Sequence, residues 1–439
     1  MKALKLAIII IVSLSGCDNI KSRSPKTHFA QTGLTWEQTY RGMETTKSFD
    51  FVAAIDDAYY IAGQKNNDFW ISKTSSKRHI VWERTFGDPN VKSKAYSIVL
   101  AKDHNLVVVG NIDSVFNGFP DALFLKLNQN GEVIWRKQYR GVFDNVPLSI
   151  IRCKLGGFIA AGYINTPYSA FEAWVIRLDE NGNLIWEKQF GGNGIDKLTQ
   201  VIQVEDGSFI VAGESNSTVS HAEDYNITPE DIEDSQESDS REAERSMSYL
   251  ANLDDNGKII WEKRFKSKVD ERMLTIIPLD DGHIAAVGEI IDSKVRRYAI
   301  PRISLGSPTS IWVNSVLEIN SSSFYYRVLD MKGDTVLEKK HESRFGYITP
   351  SSLVRAADNS IYLAANKILG NLNGVVIKFD VEGNITWEKE FGGGEKDYIS
   401  SIKTDKDGIP IFTGSYSNII MKGEYNYSRE NAWIAKLEL

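Results

Sequence analysis

After residue 34 the apolar positions come in short runs broken at close intervals by Gly, Asn, Asp and Ser, and within many runs apolar and polar residues alternate. A period of two is the pattern of a strand with one covered face. One stretch illustrates it: Leu148 to Cys153, Phe158 to Gly162, Ala173 to Leu178 and Leu184 to Phe190 read as four consecutive strands. The first and last pairs are joined by Gly156-Gly157 and Asp179-Glu180-Asn181-Gly182-Asn183. Tight hairpins use Gly and Asn at such points because these residues tolerate positive φ.

The pattern recurs. An apolar pair, then Trp, a charged residue, a further polar residue or two, and Phe or Tyr appears around Trp36, Trp82, Trp135, Trp186, Trp261 and Trp387, with a weaker copy carrying Leu337 in the Trp slot. A second marker, a strand ending in Gly, falls at Gly63, Gly110, Gly162, Gly213, Gly288 and Gly414, with Asn366 in the remaining place. Four antiparallel strands per unit, repeated at propeller spacing, predict an all-β, seven-bladed β-propeller. The blades are expected near residues 44–88, 94–141, 147–192, 198–267, 270–343 and 346–393. The chain opens on a lone Trp strand and ends without one, so the seventh blade should combine 397–439 with the N-terminal strand Thr35 to Gly42 and thereby close the ring. The repeated Trp is expected to pack between neighbouring blades.

Ahead of the propeller, Lys2 and Lys5 precede an apolar run from Leu6 to Leu14 that is too short for a membrane span and has the layout of a secretory signal peptide. Leu14-Ser15-Gly16-Cys17 resembles the lipobox of bacterial lipoproteins. That resemblance implies removal of residues 1–16, lipid attachment (palmitate among the acyl chains) at Cys17, a polar linker over 17–34 and a propeller over 35–439. The expected location is the bacterial cell envelope, on the periplasmic side of a membrane; Asp18 favours the inner membrane under enteric sorting rules.

Apart from Cys17 the only cysteine is Cys153, so no disulfide within the chain is available and stability must come from packing. The formal net charge of -7 argues against nucleic acid as a partner.

On the repeated motif, the chain is similar to bacterial β-propeller lipoproteins built from Asp-x-Asn-Gly-x-x-x-Trp-x-Lys-x-Phe-Gly-Gly units, and more distantly resembles quinoprotein-type propellers through Gly131, Gly182, Gly257 and Gly383, each four residues before a Trp. The upstream Asp179 and Asp380 stand one residue closer to the Gly than in the quinoprotein pattern, and the adjacent cysteine pair of many quinoprotein alcohol dehydrogenases is missing. Fold does not imply function.

Two insertions, residues 214–246 and 289–323, fall in second-to-third strand connections of adjacent blades and should be neighbours on one face. The first is strongly acidic, from Glu223 to Glu244, and reads as a solvated loop with calcium or a basic partner as the alternative use. The second contains Arg296, Arg297, Tyr298, Ile300, Pro301, Ile311, Trp312 and Val313 and reads as a small extra hairpin covering blade 5. No catalytic or metal motif is present: His28, His79, His104, His221, His283 and His341 are scattered, the Asp-x-Asn-Gly turns lack the rest of a calcium loop, and Cys153 reads as a buried thiol of a first strand. The sequence therefore predicts a non-catalytic, monomeric scaffold that needs no metal or cofactor and binds a protein or glycan. The alternative is a carbohydrate-active or quinone-dependent propeller enzyme with its site on the insertion-bearing face.

Overall fold

The computed structural model describes residues 34–438 apart from 41–43, 88–90, 114–117, 142, 166–170, 193, 218–244, 266, 302–309, 343–346, 370, 393–395 and 423–424; at 293–321, 369 and 418–428 it describes backbone alone. Among the described residues the strands form seven four-stranded antiparallel sheets. Blade 1 runs from Thr46 to Phe86, blade 2 from Ser93 to Tyr139, blade 3 from Asn145 to Phe190 and blade 4 from Asp196 to Phe265. Blade 5 runs from Asp270 to Glu342 and blade 6 from Tyr347 to Phe391. Blade 7 takes three strands from Tyr398 to Leu437 and its fourth from Leu34–Tyr40, which pairs from Leu34↔Leu437 to Tyr40↔Ala432. The predicted seven-bladed propeller, closed by the N-terminal strand, is the fold.

The first strand of each blade lies innermost, against the first strands of both neighbours. Each carries a bulge that admits one extra residue, and the residue after the bulge is polar in every blade: Asp50, Ser97, Ser149, Gln200, Thr275, Ser352 and Ser401. These side chains join consecutive blades in a closed relay. Asp50 Oδ2 accepts from the Ile98 amide (3.0 Å) and the Ser97 hydroxyl (3.1 Å). Ser97, Ser149, Gln200 and Thr275 then accept in turn from the amides of Ile150, Val201, Ile276 and Leu353. Ser352 donates to the Ile402 carbonyl, and Ser401 donates to Asp50 Oδ1 at 2.9 Å, which completes the circle. An inner strand has one edge with no ladder partner, and the relay satisfies part of it.

At the outer edge the Trp side chains clip each blade to the next. Trp82, Trp135, Trp186 and Trp261 donate their indole N–H to the carbonyls of Gln129, Glu180, Asp255 and Met331, all in the third-to-fourth hairpin of the following blade. That hairpin must present a glycine: Gly257 has φ of 79°, and a Cβ there would stand 2.9 Å from the Trp186 ring. Blade 5 departs from the rule. Its Leu337 is too small for the job, and Tyr326 fills the space over Gly383 instead. At the ring closure, Trp36 meets blade 1, whose hairpin holds Arg78 in the glycine place, with φ of 68° and its guanidinium 3.9 Å from the Trp36 ring centroid.

Three expectations are corrected. The second strands do not stop at the marker glycine but continue past it, as Tyr59–Lys65 and Phe158–Ile164 do. The glycine pairs with the residue before the bulge, and in blade 6 that place belongs to Ala365, not Asn366. The facing residue of the third strand is Val375 there, where other blades have Trp70, Leu123, Trp174, Tyr249, Tyr325 or Trp433. Asn366 instead binds the backbone of Ile399 in blade 7, accepting from its N–H (2.8 Å) and donating to its carbonyl (3.0 Å). Finally, the first strand of blade 3 begins at Asn145, and Cys153 lies beyond its end in the hairpin, where its N–H donates to the Gly157 carbonyl. Cys153 is buried, and desolvation pushes its thiol up to about 12.

Candidate functional site: the insertion-bearing face

First strands begin, and second-to-third connections are made, on one face of the ring, while the tight first-to-second and third-to-fourth turns occupy the other. Length varies only on the first of these faces among the described residues. The acidic insertion leaves blade 4 after Ser215 and returns at Met247; its residues 218–244 lie outside the described residues. The second insertion is not a separate hairpin laid over blade 5. It prolongs that blade's own second and third strands, Ile284–Pro301 and Ser310–Leu329, into a two-stranded arm paired out to Pro301↔Ser310, with Trp312 opposite Ala299. Blade 7 has a shorter extension of the same kind, paired out to Lys422↔Tyr425, which sequence reading missed.

Around the base of this face the first strands hold cations three positions ahead of the relay residue: Lys47, Lys94, Lys197 and Arg272. Each is half-buried and surrounded by groups from other strands. Lys47 pairs with Glu430 at 2.5 Å. Arg272 Nε lies 2.8 Å from Glu214 Oε2, and its Nη1 lies 3.5 Å from Glu289 Oε1, so one guanidinium holds two carboxylates from adjacent blades. The Tyr347 hydroxyl of blade 6 donates to Glu289 Oε2 at 2.7 Å. Lys197 lies 3.8 Å from the centroid of Phe171 and 4.8 Å from that of Tyr163.

Burial sets the electrostatics. Glu289 is only 3% exposed, and desolvation raises its carboxyl above the usual range, although Tyr347 and Arg272 pull the other way. Asp113 and Asp144 are likewise raised by burial, with Asp144 adding repulsion at Asp113. Lys197 is lowered by burial, and neighbouring Arg272 acts in the same direction. The result is a partly dry polar surface in which acceptors and donors interleave and aromatic rings stand beside them. Such a surface can hold a hydroxyl-rich or peptide ligand by multiple hydrogen bonds. The sequence carried one faint sign of it, a Lys or Arg recurring at one offset in four first strands; the partners come from other strands, several of them in neighbouring blades, and had no motif.

The remaining candidates do not join this site. Cys17, His28 and His221 lie outside the described residues. His79, His104 and His283 sit in tight turns of the opposite face, His104 with φ of 61°. His341 stacks on Phe324 at 5.0 Å between ring centroids. The Asp-x-Asn-Gly turns use their aspartates on their own backbone: Asp254 Oδ1 accepts from the amides of Asn256 and Lys258. Among the described residues no group of three or more His, Cys, Asp and Glu is arranged to hold a metal ion.

No protein-family model and no curated protein matches the chain. Distant solved structures do, and they are propeller-like. A protein of unknown function from Dyadobacter fermentans is 13% identical, with 80% of this chain and 96% of that one covered and a TM-score of 0.47. The GH93 α-L-arabinofuranosidase of Fusarium graminearum is 11% identical, with 89% and 98% covered and a TM-score of 0.47. The Pan2 WD40 domain of Neurospora crassa is 9% identical, with 90% and 89% covered and a TM-score of 0.46. At these levels the likeness concerns chain architecture alone.

Proposed function

We propose that the chain is a bacterial envelope lipoprotein, anchored through lipid on Cys17 and held on the periplasmic side of a membrane, whose propeller binds a protein or glycan on the insertion-bearing face without catalysing a reaction. The reading of the first 34 residues rests on the leader and lipobox pattern. The binding reading rests on one observation: the described strand extensions are second-to-third connections on one face, and the interleaved cations, carboxylates and aromatic rings underlie that same face. Long connections on a rigid scaffold are where recognition is built.

Two measurements test it. Cys17→Ser should abolish incorporation of labelled palmitate and move the protein from the membrane to the soluble fraction; unchanged labelling removes the anchor. Profiling of the purified protein on immobilised glycans and peptides should give ligands whose binding is lost in Arg272→Ala, and binding indifferent to this change removes the site. The enzymatic alternative is favoured by a single feature, the raised carboxyl of Glu289 sharing Arg272 with the Glu214 carboxylate, since glycosidases use a pair of carboxyl groups of which one is raised by burial. Turnover of aryl glycosides that disappears in Glu289→Gln would establish it in place of the binding reading.

A further inference from the structure

The tight-turn face carries apolar side chains that the turns themselves do not need. Blade 1 places Ile55 at the tip of its first-to-second hairpin, where blades 2 and 4 have Lys102 and Glu205. Blade 3 places Leu155 where those blades have Asp103 and Asp206, and blade 6 places Val381 in its third-to-fourth hairpin where blade 4 has Asp255. Ile55, Leu155 and Val381 are 71%, 86% and 68% exposed. Such turns are shaped by Gly, Asn and Asp, and an aliphatic side chain held in water at a tip gains nothing from folding. The bias continues along the rim, because the fourth strands start at this face and expose Val81, Ile185 and Val336 at their second residues. Of the large apolar side chains exposed among the described residues, only Phe119 and Ile368 lie toward the insertion-bearing face. Single exposed apolar residues are ordinary, but a one-sided collection marks a surface that meets something.

The point at which the chain enters the propeller says what that is. Leu34 opens the fourth strand of blade 7 and pairs with Leu437 at the end of the third, so the N-terminal strand begins at this same face. With lipid on Cys17, the chain from there to Leu34 reaches at most about 60 Å. Such a tether keeps the face at a high effective concentration beside the bilayer, where contacts too weak to bind alone suffice. Ile55, Leu155 and Val381 belong to blades 1, 3 and 6, so they surround the ring axis and would let the disc rest flat. The same turns are rich in aspartate and the formal net charge is -7, which opposes an anionic surface and selects zwitterionic lipid.

We propose that the tight-turn face is a membrane-contact surface on which Ile55, Leu155 and Val381 enter a zwitterionic lipid interface, turning the insertion-bearing face away from the bilayer. The tether in this proposal rests on the lipid-anchor reading above; the affinity of the face does not. The lipidated protein is reconstituted on vesicles of phosphatidylethanolamine and phosphatidylcholine with a nitroxide on Leu155→Cys, Val381→Cys or Ile368→Cys, Cys153 being buried and out of reach of the label. Labels on Leu155→Cys and Val381→Cys should be open to oxygen and closed to a nickel chelate, while the label on Ile368→Cys should stay open to the chelate. Without the tether, the Cys17→Ser form should still partition weakly into the same vesicles at millimolar lipid. Leu155→Ser should weaken that partitioning about tenfold, as expected for one aliphatic side chain kept from lipid, and leave the melting temperature unchanged. Added phosphatidylglycerol should weaken it as well. Failed palmitate labelling counts against the anchor alone, whereas a Cys17→Ser form that ignores vesicles, or binds them equally well as Leu155→Ser, overturns the proposed face. Turn-tip labels that stay open to the chelate overturn it too, as does shielding at Ile368→Cys. Self-association in sedimentation velocity that Leu155→Ser abolishes would give the face to a second copy of the chain instead.

Discussion

Asp50 is the one ionised member of the inner relay, and replacing it with Ala is the sharpest test of how the ring is held. Its carboxylate accepts from the Phe51 amide (2.8 Å), the Ile98 amide, the Ser97 hydroxyl and the Ser401 hydroxyl, and lies 2.7 Å from Lys403 Nζ, so that one side chain ties blade 7 to blade 1 and blade 1 to blade 2. The hydroxyls can turn toward other acceptors and Lys403 reaches solvent, but the two amides are left buried without partners. At about 1–3 kcal/mol for each such group, Asp50→Ala should cost about 3–5 kcal/mol. The same change at Ser149, which receives a single bond of 3.3 Å, should cost about 1 kcal/mol. With an unfolding entropy of about 2.1 cal/mol/K per residue over roughly 400 residues, 1 kcal/mol corresponds to about 1.2 °C in Tm. Differential scanning calorimetry of a soluble Cys17→Ser form should then show Tm falling by about 4–6 °C in Asp50→Ala and by about 1 °C in Ser149→Ala. Equal shifts in the two variants would refute the relay as a charged keystone and leave apolar packing between blades as what holds the ring.

Trp186→Leu should destabilise by about 1–3 kcal/mol, because the indole bond to Asp255 and the contact with Gly257 are lost together and blade 3 has Val175, not a Tyr, at the position of Tyr326 to fill the gap; chemical denaturation reads the change. Asp405 gives a pH dependence: burial acts to raise its carboxyl, but the Lys436 ammonium and the amides of Ile409 and Asp407 outweigh it and hold the folded value below the ordinary one. A carboxylate lowered on folding contributes stability above its unfolded pKa and loses it as pH falls through the folded pKa. Asp405→Asn should therefore lower Tm at neutral pH and converge on wild type in acid, and a constant difference across the titration would contradict the ionic role. Cys153, with its thiol raised to about 12, should not react with a disulfide reagent at pH about 8 until denaturant unfolds blade 3. Prompt modification of native protein would show that the hairpin opens.

The repeated Trp strands made the blade count legible, because a large apolar residue at a fixed offset in a period-two pattern leaves few other arrangements, and the orphan strand around Trp36 gave the ring closure. Asn366 shows where such reading ends. Counted from the strand's end it fills the marker place; only the bulge of the first strand and the facing Val375 assign that place to Ala365. The arm of blade 5 was legible as an insertion with apolar residues, but whether it formed its own element or prolonged the blade depended on pairing register, which its composition does not encode.

By itself the sequence determined the all-β class, the number of blades, the docking Trp clips and the face on which length varies. All of these follow from local alternation, turn chemistry and repetition, each written within a few residues of itself. Tertiary structure alone decided the relay around Asp50, the sharing of Arg272 between Glu214 and Glu289, and the stacking of Arg78 on Trp36 at the ring closure. Their members are far apart in the chain and of mixed residue types, and they meet only because closing a ring brings the sides and ends of separate sheets together.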